Sequence, residues 1–278
     1  LKSFGNFFFT GELSYNADRI KSNFSLKNDN GEIYTDLDIF DFEEIDNASY
    51  VGIFRGIDVD LSNFITLPFL GKSTFQFTID GKGFVPELLK SKLKGKIDDL
   101  KIKDYNYSNI DIFGDVSDKV FNGTLTVNDE NIQMDFIGLV DYSNQFIDFD
   151  FSTNISKANI GKLNLTSIKN NTLSGQITTK LRGSSTADLI GDLSFNDFKY
   201  FSGEATYNFD QLIAQSRINN DKRFYSINSP DALTGIIIGD LNFLQLTDIL
   251  KKHVFSSYKN FKSSDYTYSD VRDRKSVV

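Results

Sequence analysis

Side chains able to do chemistry are few in this 278-residue chain, which has no cysteine, one histidine and one methionine. Without cysteine, disulfide frameworks, thiolate nucleophiles and the usual zinc sites are excluded. His253 lies on an apolar stripe of helical spacing with no nucleophile motif beside it, and reads as a packed residue rather than the base of a triad. Gly71-Lys72-Ser73-Thr74 matches the end of a phosphate loop, but Thr66 stands where the motif needs its first glycine. Gly81-Lys82-Gly83 meets Pro86 in place of the last glycine of a dinucleotide fingerprint and reads as a turn. The acid pairs Asp36/Asp38, Asp58/Asp60 and Asp148/Asp150 would each put both carboxylates on one face of a strand. Glycoside hydrolysis needs carboxyl groups facing each other across a cleft, whereas the alternating context makes these acids the wet side of a half-buried sheet. Asp129, Asn131 and Asp135 lack the glycine and closing glutamate of a calcium loop and read as a turn. Asn-X-Ser/Thr triplets such as Asn23-Phe24-Ser25 and Asn122-Gly123-Thr124 arise by chance in so Asn/Ser/Thr-rich a chain. The expectation is a non-enzymatic protein with no catalytic residue, metal or cofactor.

Charge narrows the partners. The 30 basic and 38 acidic side chains leave a net charge of −8, and no Lys/Arg-rich stripe offers the phosphate neutralisation on which nucleic-acid affinity depends. Nucleic acid is therefore not an expected partner. At 40% hydrophobic and 24% charged residues the chain has the composition of a folded protein. Leu67-Pro68-Phe69-Leu70 and Ile236-Ile237-Ile238 typify its longest apolar runs, far short of the roughly 18 residues of a membrane span. The chain begins at Leu1 without a basic-apolar-small signal pattern and reads as a fragment whose anchor or signal lies outside it.

The elements that must position these residues follow from a period of two. Ile20, Ser22, Phe24 and Leu26 alternate with Lys21, Asn23, Ser25 and Lys27; Asn28-Asp29-Asn30-Gly31 turns the chain; then Ile33, Thr35, Leu37 and Ile39 resume opposite acids and Tyr34. That is a β-hairpin with one apolar face. The same alternation returns in Val51/Ile53/Ile57/Val59, Phe75/Phe77/Ile79 up to an Asp80-Gly81 turn, Ile110/Ile112, Leu125/Val127, Met134/Phe136, Phe149/Phe151, Leu193/Phe195 and Ile236/Ile238. Two stretches break step. Pro86 followed by Leu88, Leu89 and Leu93 predicts a short helix near 85–94, and Leu246, Ile249, Leu250, His253, Val254, Tyr258 and Phe261 predict a longer one near 243–261. Residues 262–278 are polar and aperiodic, a tail or a truncated continuation; no linker divides 1–261. A meander of about 20 strands at ~4.8 Å spacing would span on the order of 100 Å. Left open, it would present an apolar inner face in need of a filling.

The stretch from Asp104-Tyr105-Asn106-Tyr107 through Ile110-Asp111-Ile112-Phe113-Gly114, Phe121-Asn122-Gly123, Asp129-Glu130-Asn131, Asp135-Phe136-Ile137-Gly138, Asp141 and Phe149-Asp150-Phe151 resembles the β region of the TamB/AsmA-like translocation and assembly module family. Tyr50 to Phe54, Gly81-Lys82-Gly83-Phe84, Ala158 to Leu165, Ser229-Pro230-Asp231 and Gly235 to Leu244 fit the same pattern, so the likeness spans most of residues 10–261. Glycines, aromatics and alternation carry it, and no catalyst transfers with it. It implies an all-β, elongated, twisted, U-shaped antiparallel groove in the periplasm of a cell envelope. The full-length protein would be anchored to the inner membrane and meet an outer-membrane β-barrel of the TamA/BamA type. The implied work is phospholipid transfer between the membranes, with outer-membrane biogenesis and protein secretion. Neither the anchor nor the domain that meets the barrel is evident in this chain.

On that reading phospholipid acyl chains lie against Val51, Ile53, Ile57, Val59, Phe75, Phe77, Ile79, Ile110, Ile112, Leu125, Val127, Met134, Phe136, Phe149, Phe151, Leu193, Phe195, Ile236 and Ile238. Two rivals make other demands. A chaperone for outer-membrane strands would offer an open edge for β-augmentation. A surface adhesin or carbohydrate-binding β-module would carry exposed aromatic platforms over a closed core.

Overall fold

The computed structural model of the chain describes residues 6–44, 46–63, 70–85, 87–166, 169–184, 188–220, 222–230 and 233–239. Its strands are β1 (Phe8–Asn16), β2 (Arg19–Asn28), β3 (Gly31–Phe40), β4 (Ser49–Asp60), β5 (Leu70–Lys82), β6 (Lys90–Ile102), β7 (Tyr105–Ser117) and β8 (Val120–Asn128). They continue as β9 (Ile132–Asp141), β10 (Ile147–Ala158), β11 (Thr172–Gly183), β12 (Ile190–Phe201), β13 (Thr206–Asn219), β14 (Lys222–Ser229) and β15 (Leu233–Gly239). Among the described residues a 3-10 turn at Leu61–Asn63 precedes β5. All fifteen strands form one antiparallel sheet in chain order, not closed into a barrel: an elongated, twisted groove. At ~4.8 Å per strand the fifteen described strands extend on the order of 70 Å, against on the order of 100 Å expected from about 20 strands.

Each strand packs substantially only against the strands before and after it. Among the described residues no second sheet covers the first, so the core is one side-chain layer on one face. Buried apolar residues such as Leu37, Tyr50, Val59, Phe75, Ile110, Val127 and Tyr225 sit on that face, where neighbouring strands wall them in laterally. Most others there are half-buried.

Two devices bend the strands. One is the β-bulge: register slips between Gly56 and Val59 on β4, opposite Phe75 between Ile97 and Asp99 on β6, and opposite Gly175 on β12. Asp58 and Asp197 take left-handed φ of 52° and 48° at the β4 and β12 slips, and Asn109 on β7 takes 52° across from the β6 slip, the conformation that short polar side chains tolerate best. The other is glycine on the apolar face. Gly52 has φ +148°, and a Cβ there would lie 2.0 Å from the Asp36 carbonyl oxygen. Gly191 repeats this, with φ +135° and the Lys180 carbonyl oxygen 2.0 Å from the same point. Only a residue without Cβ lets neighbouring backbones close this tightly on the inside of a curved sheet.

The helix expected near 85–94 does not form. Phe84 and Val85 lie in bends and Glu87 and Leu88 in a turn, Leu88 N donates to the Val85 carbonyl, and β6 begins at Lys90. From that point Lys90, Lys92, Lys94 and Lys96 alternate with Ser91, Leu93, Gly95 and Ile97, and the period of two outweighs three leucines at helical spacing. The Asp80-Gly81 turn is likewise displaced: β5 continues through Lys82, and Gly83 with φ +79° turns the chain. The helix expected near 243–261 and the tail 262–278 lie outside the described residues.

Candidate functional site

The feature with a shape and chemistry of its own is the apolar face. Register defines it strand by strand. Ile20 pairs Ile39, which pairs Tyr50; Phe24 pairs Thr35, which pairs Phe54; Phe54 pairs Phe77, and Ile79 pairs Leu93. Farther along, Ile112 pairs Leu125, Leu125 pairs Phe136, Phe136 pairs Thr153, Ile177 pairs Phe195, and Phe195 pairs Leu212. Aromatic rings knit this layer together: Phe75 stacks on Phe77 at 4.9 Å, Phe136 lies 5.0 Å from Phe151, and Phe195 meets Phe198 edge-on at 5.0 Å.

At the paired positions of the described strands this face carries no aspartate, glutamate or lysine, and its one charged side chain is Arg223. Its hydroxyls are mostly turned into the backbone. Ser22 Oγ donates to the Leu37 carbonyl at 3.4 Å, Ser73 to Asp99 at 2.9 Å, Thr153 to Asp135 at 2.9 Å and Thr179 to Asp192 at 3.1 Å. Thr35 Oγ1 donates to Ser22 Oγ at 3.2 Å. A hydroxyl consumed this way presents carbon to the groove. Across β7, β8 and β9 the face has a strip without side chains, because Gly114 pairs Gly123 and Gly123 pairs Gly138. The ring of Phe121 lies over the first two: added Cβ atoms would come within 2.9 Å and 2.8 Å of it.

The opposite face is polar and largely self-neutralised. Lys180 meets Asp150 at 3.3 Å, Arg182 meets Asp148 at 3.5 Å, and Arg19 meets Asp38 at 2.6 Å. Of the paired acids of the sequence, Asp38, Asp148 and Asp150 are thus members of cross-strand ion pairs, whereas Asp60 accepts from Ser62 N and Oγ. Burial works to raise the Asp192 carboxyl, but hydrogen bonds from Arg217 and Gln215 outweigh it and hold it below the usual range.

Of the residues expected along the groove, Val59, Phe75, Phe77, Ile79, Ile110, Ile112, Leu125, Val127, Met134, Phe136, Phe149, Phe151, Leu193 and Phe195 fall on the apolar face. Five do not. Val51 and Ile53 pair Asp38 and Asp36, Ile57 pairs Glu32, and Ile236 and Ile238 pair Ser226 and Phe224, all on the polar side. In β4 the groove positions belong to Tyr50, Gly52, Phe54 and Gly56, whose glycines hid the true alternation. In β15 three consecutive isoleucines carry no parity, and only register assigns Ile237 to the groove face. The signal missed on β4 was Tyr50/Phe54, in step with aromatics on β5.

Other readings resolve into structure. Gly71-Lys72-Ser73-Thr74 is part of β5, with Ser73 buried. Asp129 and Asn131 form the β8–β9 turn as expected, while Asp135 stands on β9 and accepts from Thr126 Oγ1 at 2.8 Å. Asp129 is 3% exposed and fully engaged: Tyr105 OH donates to Oδ1 at 2.5 Å, Asn131 N at 2.8 Å, and Ser108 N and Oγ reach Oδ2 at 3.0 and 2.8 Å. Burial raises the Asp129 carboxyl, yet these bonds outweigh it and set it below the ordinary value; burial and the Asp129 bond push Tyr105 up to about 12. The node ties the β8–β9 turn to the start of β7. His253 lies outside the described residues. Among the described residues no His, Cys, Asp and Glu group could hold a metal, and no helix is long and apolar enough to cross a membrane. A recess of about 700 Å³ on the polar side, beside the β4 and β6 bulges, mixes Asp58, Asp60 and Asp99 with Lys72, Lys101 and Lys103. Neither a family model, nor a curated protein, nor a solved structure matches the chain.

Proposed function

We propose that this chain is a non-enzymatic segment of a periplasmic bridge, along whose apolar face phospholipid acyl chains lie while headgroups remain in water. The observation that carries the reading is the continuity of that face from β2 to β13 with no charged side chain, against an opposite face laddered with charge. An acyl chain of about 16 carbons loses on the order of 13 kcal/mol of favourable burial in water at ~0.8 kcal/mol per methylene, so a conduit must be apolar without gaps. Chain-order pairing makes length the quantity that grows with each hairpin, which suits crossing a gap between inner and outer membranes better than enclosing a substrate. The resemblance to TamB/AsmA-like proteins leads to the same function, with an outer-membrane barrel as partner. A single-layer sheet supports this over a carbohydrate-binding module, which needs a closed core.

The test is to purify the chain and identify co-extracted phospholipid by mass spectrometry, with photo-crosslinking residues placed at Phe136 and Leu193 or, on the polar face, at Thr178. Lipid adducts at the first two and not the third are expected. A lipid-free preparation that also yields no adducts after incubation with phospholipid vesicles would sink the proposal. A second reading, a β-augmentation chaperone, draws on β1: its free side pairs with no described strand, and Phe8 is 71% exposed. Crosslinking of an unfolded barrel strand to β1 rather than to the groove would favour it.

A further inference from the structure

Sheets guard an unpaired edge with lysine, proline, a bulge or a very short last strand. β1 has none of these. It runs nine residues without lysine or proline, its register with β2 is unbroken from Phe8 to Asn16, and Glu12 is its one charge. All nine residues are exposed, and no described strand lies beyond it in the sheet. Leu13 and Tyr15, opposite Ser22 and Ile20, belong to the apolar face, yet they are 61% and 72% exposed. Such an edge is a template for one more strand.

The sequence of β1 favours β1 itself as that strand. A second copy laid antiparallel keeps both apolar faces on one side only when the two-fold axis passes through a residue, because side chains alternate along a strand. Centred on Glu12, two carboxylates would oppose each other, which is destabilising. Centred on Gly11, two glycines would meet with no side chain between them. Centred on Leu13, the two leucines meet, Glu12 faces Ser14, and Tyr15 of each copy faces Gly11 of the other. The last pairing repeats a habit of this sheet, in which Gly11 stands opposite Phe24, Gly56 opposite Phe75 and Gly138 opposite Phe151.

We propose that β1 is a self-association edge: two copies pair antiparallel through it, with Leu13 against Leu13 on the axis and Tyr15 against Gly11 on either side. The two apolar faces then join into one groove running through both copies. This pairing needs only the edge and its register, and holds whether or not lipid fills the groove. It gives the edge a different occupant from the barrel strand of the chaperone reading.

Sedimentation equilibrium of the full chain measures the association, and the expected mass at high concentration is twice that of one chain. Leu13→Lys should weaken the dimer about 100-fold, because the symmetry counts each lost contact twice and brings two ammonium groups together. Tyr15→Ala, which leaves Gly11 uncovered, should weaken it about tenfold or more. Both side chains are exposed in the single chain, and far-UV circular dichroism checks that the sheet survives. Register is read from single cysteines placed in a chain that has none of its own. A short thiol-to-thiol crosslinker should join Leu13→Cys into dimers and fail with Thr10→Cys, whose two copies would lie about 20 Å apart along the paired strands. A single-chain mass at every concentration, a dimer indifferent to both variants, a mass that grows without limit, or equal crosslinking of the two cysteine proteins would each overturn the proposal. A monomer whose β1 crosslinks to an unfolded barrel strand overturns it in favour of the chaperone. Lipid content, measured separately, decides the conduit reading independently of these outcomes.

Discussion

Replacing Phe136 by aspartate puts a carboxylate in the middle of the groove floor. Phe136 faces Leu125 on β8 and Thr153 on β10, and its ring packs 5.0 Å from Phe151. An acyl chain laid across the strands places about four methylenes on each ~4.8 Å strand spacing, so the burial it gives up over one strand is worth roughly 3 kcal/mol at ~0.8 kcal/mol per methylene. A hydrated carboxylate forfeits at least that, because stripping its water in an apolar channel costs still more. Lipid affinity at this point should fall about 100-fold. The fold should survive, since the substitution removes a ring interaction worth about 1 kcal/mol and part of one side chain's burial. Phosphorus per protein in the purified material, together with displacement of an alkyl probe, provides the assay. Thr178→Asp on β11 is the control: Thr178 is exposed on the polar face, its hydroxyl 3.4 Å from that of Ser152. A folded Phe136→Asp protein with wild-type lipid content would refute the reasoning, and so would an equal loss in Thr178→Asp.

Three further outcomes concern stability and its pH dependence, and a fourth concerns the polar face. Gly123→Val should lower the urea midpoint by the equivalent of about 2–4 kcal/mol, because its Cβ would sit 2.4 Å from the Phe113 carbonyl oxygen and 2.8 Å from the Phe121 ring. The depressed Asp129 carboxyl favours folding above its ordinary value of 3.8, and that contribution is lost as pH falls below it; urea midpoints between pH 2 and 6 should show a slope that Asp129→Asn flattens. Tyr105 has the opposite sense, since its folded value near 12 exceeds 10.0; its contribution is intact below pH 10 and lost on rising toward 12, and Tyr105→Phe should remove that part of the alkaline loss measured by circular dichroism. Lys180→Ala should shift stability by less than about 0.5 kcal/mol, because the Lys180–Asp150 pair is 78% and 58% exposed.

Strand periodicity was the legible part. The β2–β3 hairpin stands as written in Ile20 to Ile39, with both faces correctly oriented, because neither strand contains an interior glycine or bulge. Where glycine occupies groove positions, as Gly52 and Gly56 do, hydropathy points to the wrong face, and Val51 and Ile53 stand out instead. Nor could alternation foresee the bulges at Asp58 and Asp197, or the left-handed Asn109 across from the β6 slip, since a bulge costs one residue of parity and leaves no compositional mark beyond a short polar side chain.

Pairing in unbroken chain order sets how the molecule can be made. Every strand finds its partner in the segment just laid down, so none waits for a distant stretch to emerge. A polypeptide threaded end-first through a translocation pore could zip up as it appears, exposing one growing edge at a time. The hazard is confined to that edge, and a stalled chain would be left with a finished, shorter sheet rather than a tangle.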